Sequence, residues 1–165
     1  MAAKFNTAGP FVWNDAVADA TATPYFPLGT KREEDGKAYR YVQFNDGSGN
    51  IAAAAGAVAY SLAAATNRWV VTCDVSDTDQ NQVAGVLLSI VTNLYYGWMQ
   101  TGGYYATVKT NGDDDIAAHV SLFGVGDGTC DSMAADTAST NKILGYAAAA
   151  DVDADNTVAA ILTLD

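Results

Sequence analysis

The chain is poor in the residues that carry most enzyme chemistry. Histidine occurs once, at His119, and cysteine twice, at Cys73 and Cys130. One imidazole leaves little room for the paired nucleophile and base that hydrolysis or group transfer needs. There is no G-x-S-x-G elbow to seat an exposed serine nucleophile. Two cysteines without a C-x-x-C pair make neither a disulfide framework nor a zinc site. They are expected to be buried or half-buried, reduced thiols, a bridge being open only if their Cα atoms come within ~7 Å. Basic residues are scarce as well: eight Lys and Arg face nineteen Asp and Glu, for a formal net charge of −11. Such a field repels nucleic acid, which is bound by cations that neutralise phosphates, and it repels anionic lipid for the same reason.

Long apolar runs are also missing. No segment approaches the ~20 consecutive apolar residues of a membrane-spanning helix. The start Met1-Ala2-Ala3-Lys4 lacks the basic-then-apolar pattern of a secretory leader. Folding in a cytoplasm is therefore the expectation, with no membrane partner and no cofactor.

What is present is a series of short β signals. Lys37–Phe44 (KAYRYVQF) alternates aromatic and β-branched residues with a period near two. Arg68–Cys73, Ile116–Phe123, Lys142–Ala148 and Asn156–Leu164 read as further strands. Val83–Val91 is continuously apolar, as in a strand buried on both faces. Tyr95–Val108 reads as a hairpin turning at Thr101-Gly102-Gly103. Lys31–Gly36 (KREEDG), Asn45–Asn50, Asp74–Gln82 and Lys109–Asp115 read as turns or polar loops, and Gly124–Asn141 as a long irregular loop. Ile51–Ala65 is alanine-rich. It reads as short extended pieces around Gly56, with a helical turn as the alternative.

Short strands separated by Gly, Asn and Asp turns predict an all-β fold, a small β-barrel or β-sandwich. The expected organisation is an extended N-terminal arm over residues 1–30 and a β domain over 31–165. All three prolines, Pro10, Pro24 and Pro27, lie in the arm and hold it extended. Phe5, Phe11, Trp13, Tyr25 and Phe26 are spaced along it as apolar anchors. They are the candidate partner-binding residues.

The remaining chemical candidates read as structure. His119 lies within an apolar run and reads as structural rather than as a base or ligand. Gly124-Val125-Gly126-Asp127-Gly128 lacks the ending of a phosphate-binding loop. Asp151, Asp153 and Asp155 stand at alternate positions, like the first half of a calcium loop. Asn156 replaces its glycine, and Leu162 its closing glutamate. This triplet reads as a solvated turn, as do Asp113-Asp114-Asp115 and Asp74/Asp77/Asp79, with a weak cation site as the alternative for each. Trp69, Trp98 and several tyrosines could stack on sugar rings, although aromatics at strand spacing more often fill cores or interfaces.

A resemblance then enters. Tyr25-Phe26-Pro27-Leu28-Gly29-Thr30, Asp35-Gly36 and Tyr39-Arg40-Tyr41-Val42 follow one another in order. After them come Ala84-Gly85-Val86, Tyr96-Gly97-Trp98-Met99-Gln100-Thr101-Gly102-Gly103, and Ile143-Leu144-Gly145-Tyr146-Ala147 before a last apolar strand. From about Tyr25 onward this succession resembles the head decoration (capsid cement) proteins of tailed bacteriophages. The resemblance implies a non-enzymatic virion protein. Such a protein assembles in the host cytoplasm, as a homo-oligomer (a trimer among the options) or as lattice-bound copies. It binds the outer face of the major capsid protein lattice and reinforces it against internal DNA pressure. A receptor- or carbohydrate-binding β domain, or a tail or neck component, is the alternative.

Overall fold

The computed structural model describes residues 16–113, 115–132, 143–151 and 156–164. They form one mixed ten-stranded sheet and, apart from a 3-10 turn at Val75–Asp77, no helix. The strands are β1 (Lys31–Glu34), β2 (Lys37–Phe44), β3 (Val58–Leu62), β4 (Val70–Thr72) and β5 (Thr78–Leu87). They continue with β6 (Tyr96–Lys109), β7 (Ser121–Gly126), β8 (Thr129–Ser132), β9 (Ile143–Ala147) and β10 (Thr157–Thr163). The all-β expectation holds.

The sheet closes on itself in part. Its order is β1-β2-β4-β3-β5-β6-β10-β9-β7-β8, and β2 also pairs with β6. Strands β2, β4, β3, β5 and β6 thus form a five-stranded ring. A ring this narrow has little interior volume, and its filling is correspondingly small: Ala53, Ala57, Ala59 and Ala84 beside Val42, Phe44, Val71, Leu87 and Met99. This explains the alanine-rich segment 51–65. It does not coil into a helix, because Val58–Leu62 is needed as a ring strand with small inward residues, and residues 51–57 lead into it without regular structure. Gly56 makes the preceding turn, with φ +79 and a backbone so close to Thr107 that a Cβ would meet its carbonyl oxygen.

Outside the ring, β6 continues into the β10-β9-β7-β8 layer. A second core lies between that layer and the outer faces of β3 and β5. It is built from Val58, Tyr60, Val83, Val86, Val108, Leu122, Leu144, Val158 and Leu162. Strand β5 therefore buries both faces: Ala84 and Leu87 enter the ring, Val83 and Val86 the second core. A third cluster, Tyr39, Tyr41 and Trp98, lies under residues 16–30, which contribute Val17, Phe26 and Leu28.

Several sequence expectations are corrected. Tyr95–Val108 is not a hairpin. It belongs to one 14-residue strand that changes partner at Gly102, the residue that pairs with both Ala38 of β2 and Thr163 of β10. Gly103 takes φ +83 there. The Gln100 side-chain amide donates to the carbonyls of Gly102, Gly103 and Tyr104 at 3.0, 3.3 and 3.0 Å. Those carbonyls are satisfied without the chain reversing, so glycines that could make a turn make a bend instead.

Lys31–Glu34 is a strand, and only Asp35-Gly36 turns, both at positive φ as a two-residue hairpin loop demands. Its unbroken run of charges hid an inward side chain, since Arg32 is buried against the Trp98 ring. The polar stretch after Asp74 makes the 3-10 turn and opens β5 at Thr78, while the apolar run ends as a strand at Leu87 and leaves Ile90 exposed. Gly124–Gly126 completes β7, and Thr129–Ser132 forms β8, where an irregular loop was expected. Strand β7 starts only at Ser121. Before it, Ile116 makes a single bridge to Asp151.

Candidate interaction surfaces

His119 does not lie in a strand. It is exposed in the turn before β7 with φ +67, and its backbone N–H donates to the Ala147 carbonyl at 2.8 Å. The glycine-rich run is a hairpin that receives Tyr60. That ring lies where a Cβ on Gly124 would stand, and its hydroxyl donates to the carbonyls of Gly126 at 2.8 Å and Thr129 at 3.2 Å.

The acidic residues serve mostly as loop clamps. Asp74 is buried rather than solvated. Its carboxylate accepts from the Ser76 backbone and hydroxyl and from the Gly49 N–H at 2.7 Å. The Ser76 hydroxyl, helped by Gly49, holds its pKa below the ordinary range, against the opposing cost of burial. Asp77 accepts from the Ser48 N–H and hydroxyl. Asn111 donates to Asp113 at 2.9 Å and to Asp131 at 3.1 Å. Asp114, Asp153 and Asp155 lie outside the described residues, as does the Asp79 side chain. Among the described residues no three acidic, His or Cys side chains gather as a metal site. Cys73 and Cys130 are buried free thiols, each pushed up to about 12 chiefly by burial.

Shallow depressions mark the surface of the described residues. One, about 460 Å³, is lined by residues 33–38 and Gly102, and a second, about 420 Å³, by residues such as Ser48, Ala63 and Asp77. The Ser48 hydroxyl meets the Asp77 carboxylate in the second, with no imidazole or amine among its lining residues.

Of the candidate anchors, Phe5, Phe11 and Trp13 lie outside the described residues. Phe26 packs on its own domain, 5.3 Å from the Tyr41 ring and 5.4 Å from the Trp98 ring. Tyr25 donates its backbone N–H to the Tyr41 hydroxyl and leaves its own side chain largely exposed. Residues 16–30 are also tied by backbone bonds, reciprocal between Thr21 and Tyr96 at 2.8 Å and from Gly29 to Tyr41 at 2.8 Å. Trp98 is buried. Trp69 covers Gly29, and the guanidiniums of Arg68 and Arg40 lie 4.5 and 5.2 Å from its ring centre.

Sequence reasoning missed the exposed apolar side chains of the β layer. Tyr104 on β6 pairs with Ile161 on β10, which pairs with Tyr146 on β9. Directly paired residues share a face, so the three form one row. Tyr104 and Tyr146 are 48% and 41% exposed, which places that row on the surface. The signal was in Asn156–Leu164, where Ile161 and Leu162 are adjacent and apolar: one must point away from the core. A second exposed site is Ile90 with Leu94, the latter held at φ +65 while its N–H donates to the Phe44 carbonyl.

No protein-family model matches the chain, and no curated protein matches it either.

Proposed function

We propose that this chain is a structural virion protein of a tailed phage. It binds the outer surface of the capsid and stabilises the major capsid protein lattice. Two lines support the reading. One is the ordered succession of segments from Tyr25 to Ala147 that resembles capsid decoration proteins. The other, which carries the argument, is the distribution of exposed apolar residues. Among the described residues they lie on a sheet face, on a loop and at Tyr25 before β1, as suits docking against a broad partner, and they line neither depression described above. The sugar-binding alternative needs open aromatic rings in a groove, and the exposed Tyr25, Tyr104 and Tyr146 line neither of the depressions described above. Trp98 is buried, and the Trp69 ring is occupied by Gly29 and two guanidiniums.

The arm as tether belongs to this proposal, and the packing of Val17, Phe26 and Leu28 decides how to test it. Deletion must stop at Asp15, because removing residues 16–30 would uncover Tyr39, Tyr41 and Trp98. Purified protein, intact and lacking residues 1–15, is mixed with heads that lack it and sedimented. The intact protein is expected to saturate at a fixed copy number per capsid and to raise the temperature at which heads release DNA. Absence of saturable binding to heads, with binding to tails or host glycans instead, would refute the reading. Unchanged affinity after the deletion would move the interface from the arm to the β domain.

A further inference from the structure

We propose that the outer face of the β6-β10-β9 layer is a self-association surface, on which a second copy of this chain docks through Tyr104, Ile161 and Tyr146 about a two-fold axis. The proposal goes beyond capsid binding: it claims the sheet face for a second copy and leaves the Ile90 and Leu94 loop and the N-terminal arm for the lattice.

The first argument is charge. Residues 69–165 hold thirteen of the nineteen acids and only two of the eight basic residues, Lys109 and Lys142. At neutral pH two copies therefore repel wherever these acidic segments approach. Of these acids, the described ones lie in β5, in β8 and between strands. None lies in the second half of β6, in β9 or in β10. Four of the seven residues of β10, Thr157, Ala159, Ile161 and Thr163, alternate with the core residues and are all uncharged. Paired with them are Lys109, Tyr104 and Gly102 on β6 and, beside Ile161, Tyr146 on β9, so the one charge among these partners is a cation. An acidic chain can meet its own copy here without opposing like charges.

The second argument is symmetry. A two-fold interface must be self-complementary, residue i meeting j where j meets i. The row Tyr104–Ile161–Tyr146 has this property about Ile161. A two-fold axis running above Ile161, parallel to the strands, sets each Tyr104 over the partner's Tyr146. Strands lie ~4.8 Å apart, so the two tyrosines stand ~10 Å apart and flank the smaller Ile161. Tyrosine also suits an interface that is exposed in the free chain, because its ring contributes area while its hydroxyl stays wet.

The third argument is size. Three to four strands by about five residues cover on the order of 300 Å². That matches a functional patch on a monomer (~300–600 Å²) and falls below the ~800 Å² per partner of a permanent dimer. The dimer is therefore weak, and it fills when copies are held at high local concentration.

The test is sedimentation equilibrium of the full chain over a range of concentrations, at low salt and at about 0.5 M salt, where repulsion is screened. Weight-average mass should rise from monomer to dimer, and the rise should strengthen with salt. Tyr146→Lys reduces the net negative charge but forces a cation into the contact, and should weaken association at least about tenfold. Tyr104→Ser, a gentler change at an exposed site, should weaken it in the same direction if Tyr146→Lys disturbs folding. Ile90→Lys makes the same charge change on another surface and should leave the dissociation constant within about twofold. A chain that stays monomeric up to about 1 mM would overturn the proposal. So would association that weakens with salt, a trimer with no dimer, or an Ile90→Lys effect as large as that of Tyr146→Lys.

Discussion

Phe26→Ala tests whether the segment before β1 belongs to the β domain or is held ready for a partner. The ring is half-buried and sits edge-on to Tyr41 (interplanar angle 85°) and tilted on Trp98. Truncating a fully buried Phe costs ~3–5 kcal/mol. Half-burial brings this to roughly 2 kcal/mol, a figure that already includes the two aromatic contacts at ~0.5–1.5 kcal/mol each. For a domain of this size ~1 kcal/mol moves the melting temperature by ~2–4 °C, so a fall of about 4–8 °C is expected. Thermal unfolding followed by near-UV circular dichroism reads it directly, because Trp98 and Tyr41 lie beneath the ring. Tryptophan emission should also shift to the red as water reaches Trp98. A melting temperature within about 1 °C of the parent would refute the reasoning. Together with lost capsid binding, that result would assign Phe26 to a partner rather than to its own barrel.

Two further outcomes are expected. Gly36 and Gly56 both have positive φ, but a Cβ on Gly36 meets nothing within 4 Å, whereas one on Gly56 runs into the Thr107 carbonyl. Alanine at position 36 should therefore cost only the conformational ~1 kcal/mol, and at position 56 about 3 kcal/mol. Equal losses in urea unfolding would show that the close approach is not rigid. Cys73 and Cys130 are pushed up to about 12 from an ordinary value of 9.0. Below pH 9 both states hold the proton and the contribution is intact. Between pH 9 and 12 only the unfolded state loses it, so stability falls as pH rises. A Cys73→Ala/Cys130→Ala variant should show a shallower fall over that window, and an identical slope would discount the thiols.

The parts legible from sequence are those where one local signal decided the structure. Lys37–Phe44 is β2 to the residue, because its aromatic alternation matches a strand with one face on the ring and the other under residues 16–30. The ends of β9 and β10 fell within a residue or two of expectation for similar reasons. Errors came where tertiary partners override local chemistry. Thr101-Gly102-Gly103 carries a good turn signal, yet strands on both sides and the Gln100 amide hold it open. The charge-rich β1 becomes a strand because Arg32 has a tryptophan to cover. His119 lies in a run of apolar residues that have no strand partner until Ser121. Among the candidate anchors, position in the chain marked Phe26 as part of an arm, whereas its neighbours in space are ring residues far along the sequence.

The long β6 strand explains how one small domain can present separate surfaces. Its first half belongs to the ring, where Trp98 faces outward under residues 16–30 and Met99 faces inward. Its second half belongs to the outer layer, where Val108 faces the second core and Tyr104 faces out. Had the chain reversed at Gly102, the strand could not have carried both the ring closure with β2 and the pairing with β10. The bend thus keeps the covered aromatic cluster and the acid-free face on different parts of one continuous strand. A second copy on that face, as proposed, would leave the Ile90 and Leu94 loop and the N-terminal arm for a lattice. Among the described residues of the strongly negative half, the acids lie in β5, in β8 and between strands, and none lies on the strands of that face, so the charge would favour the proposed mode of self-association over others.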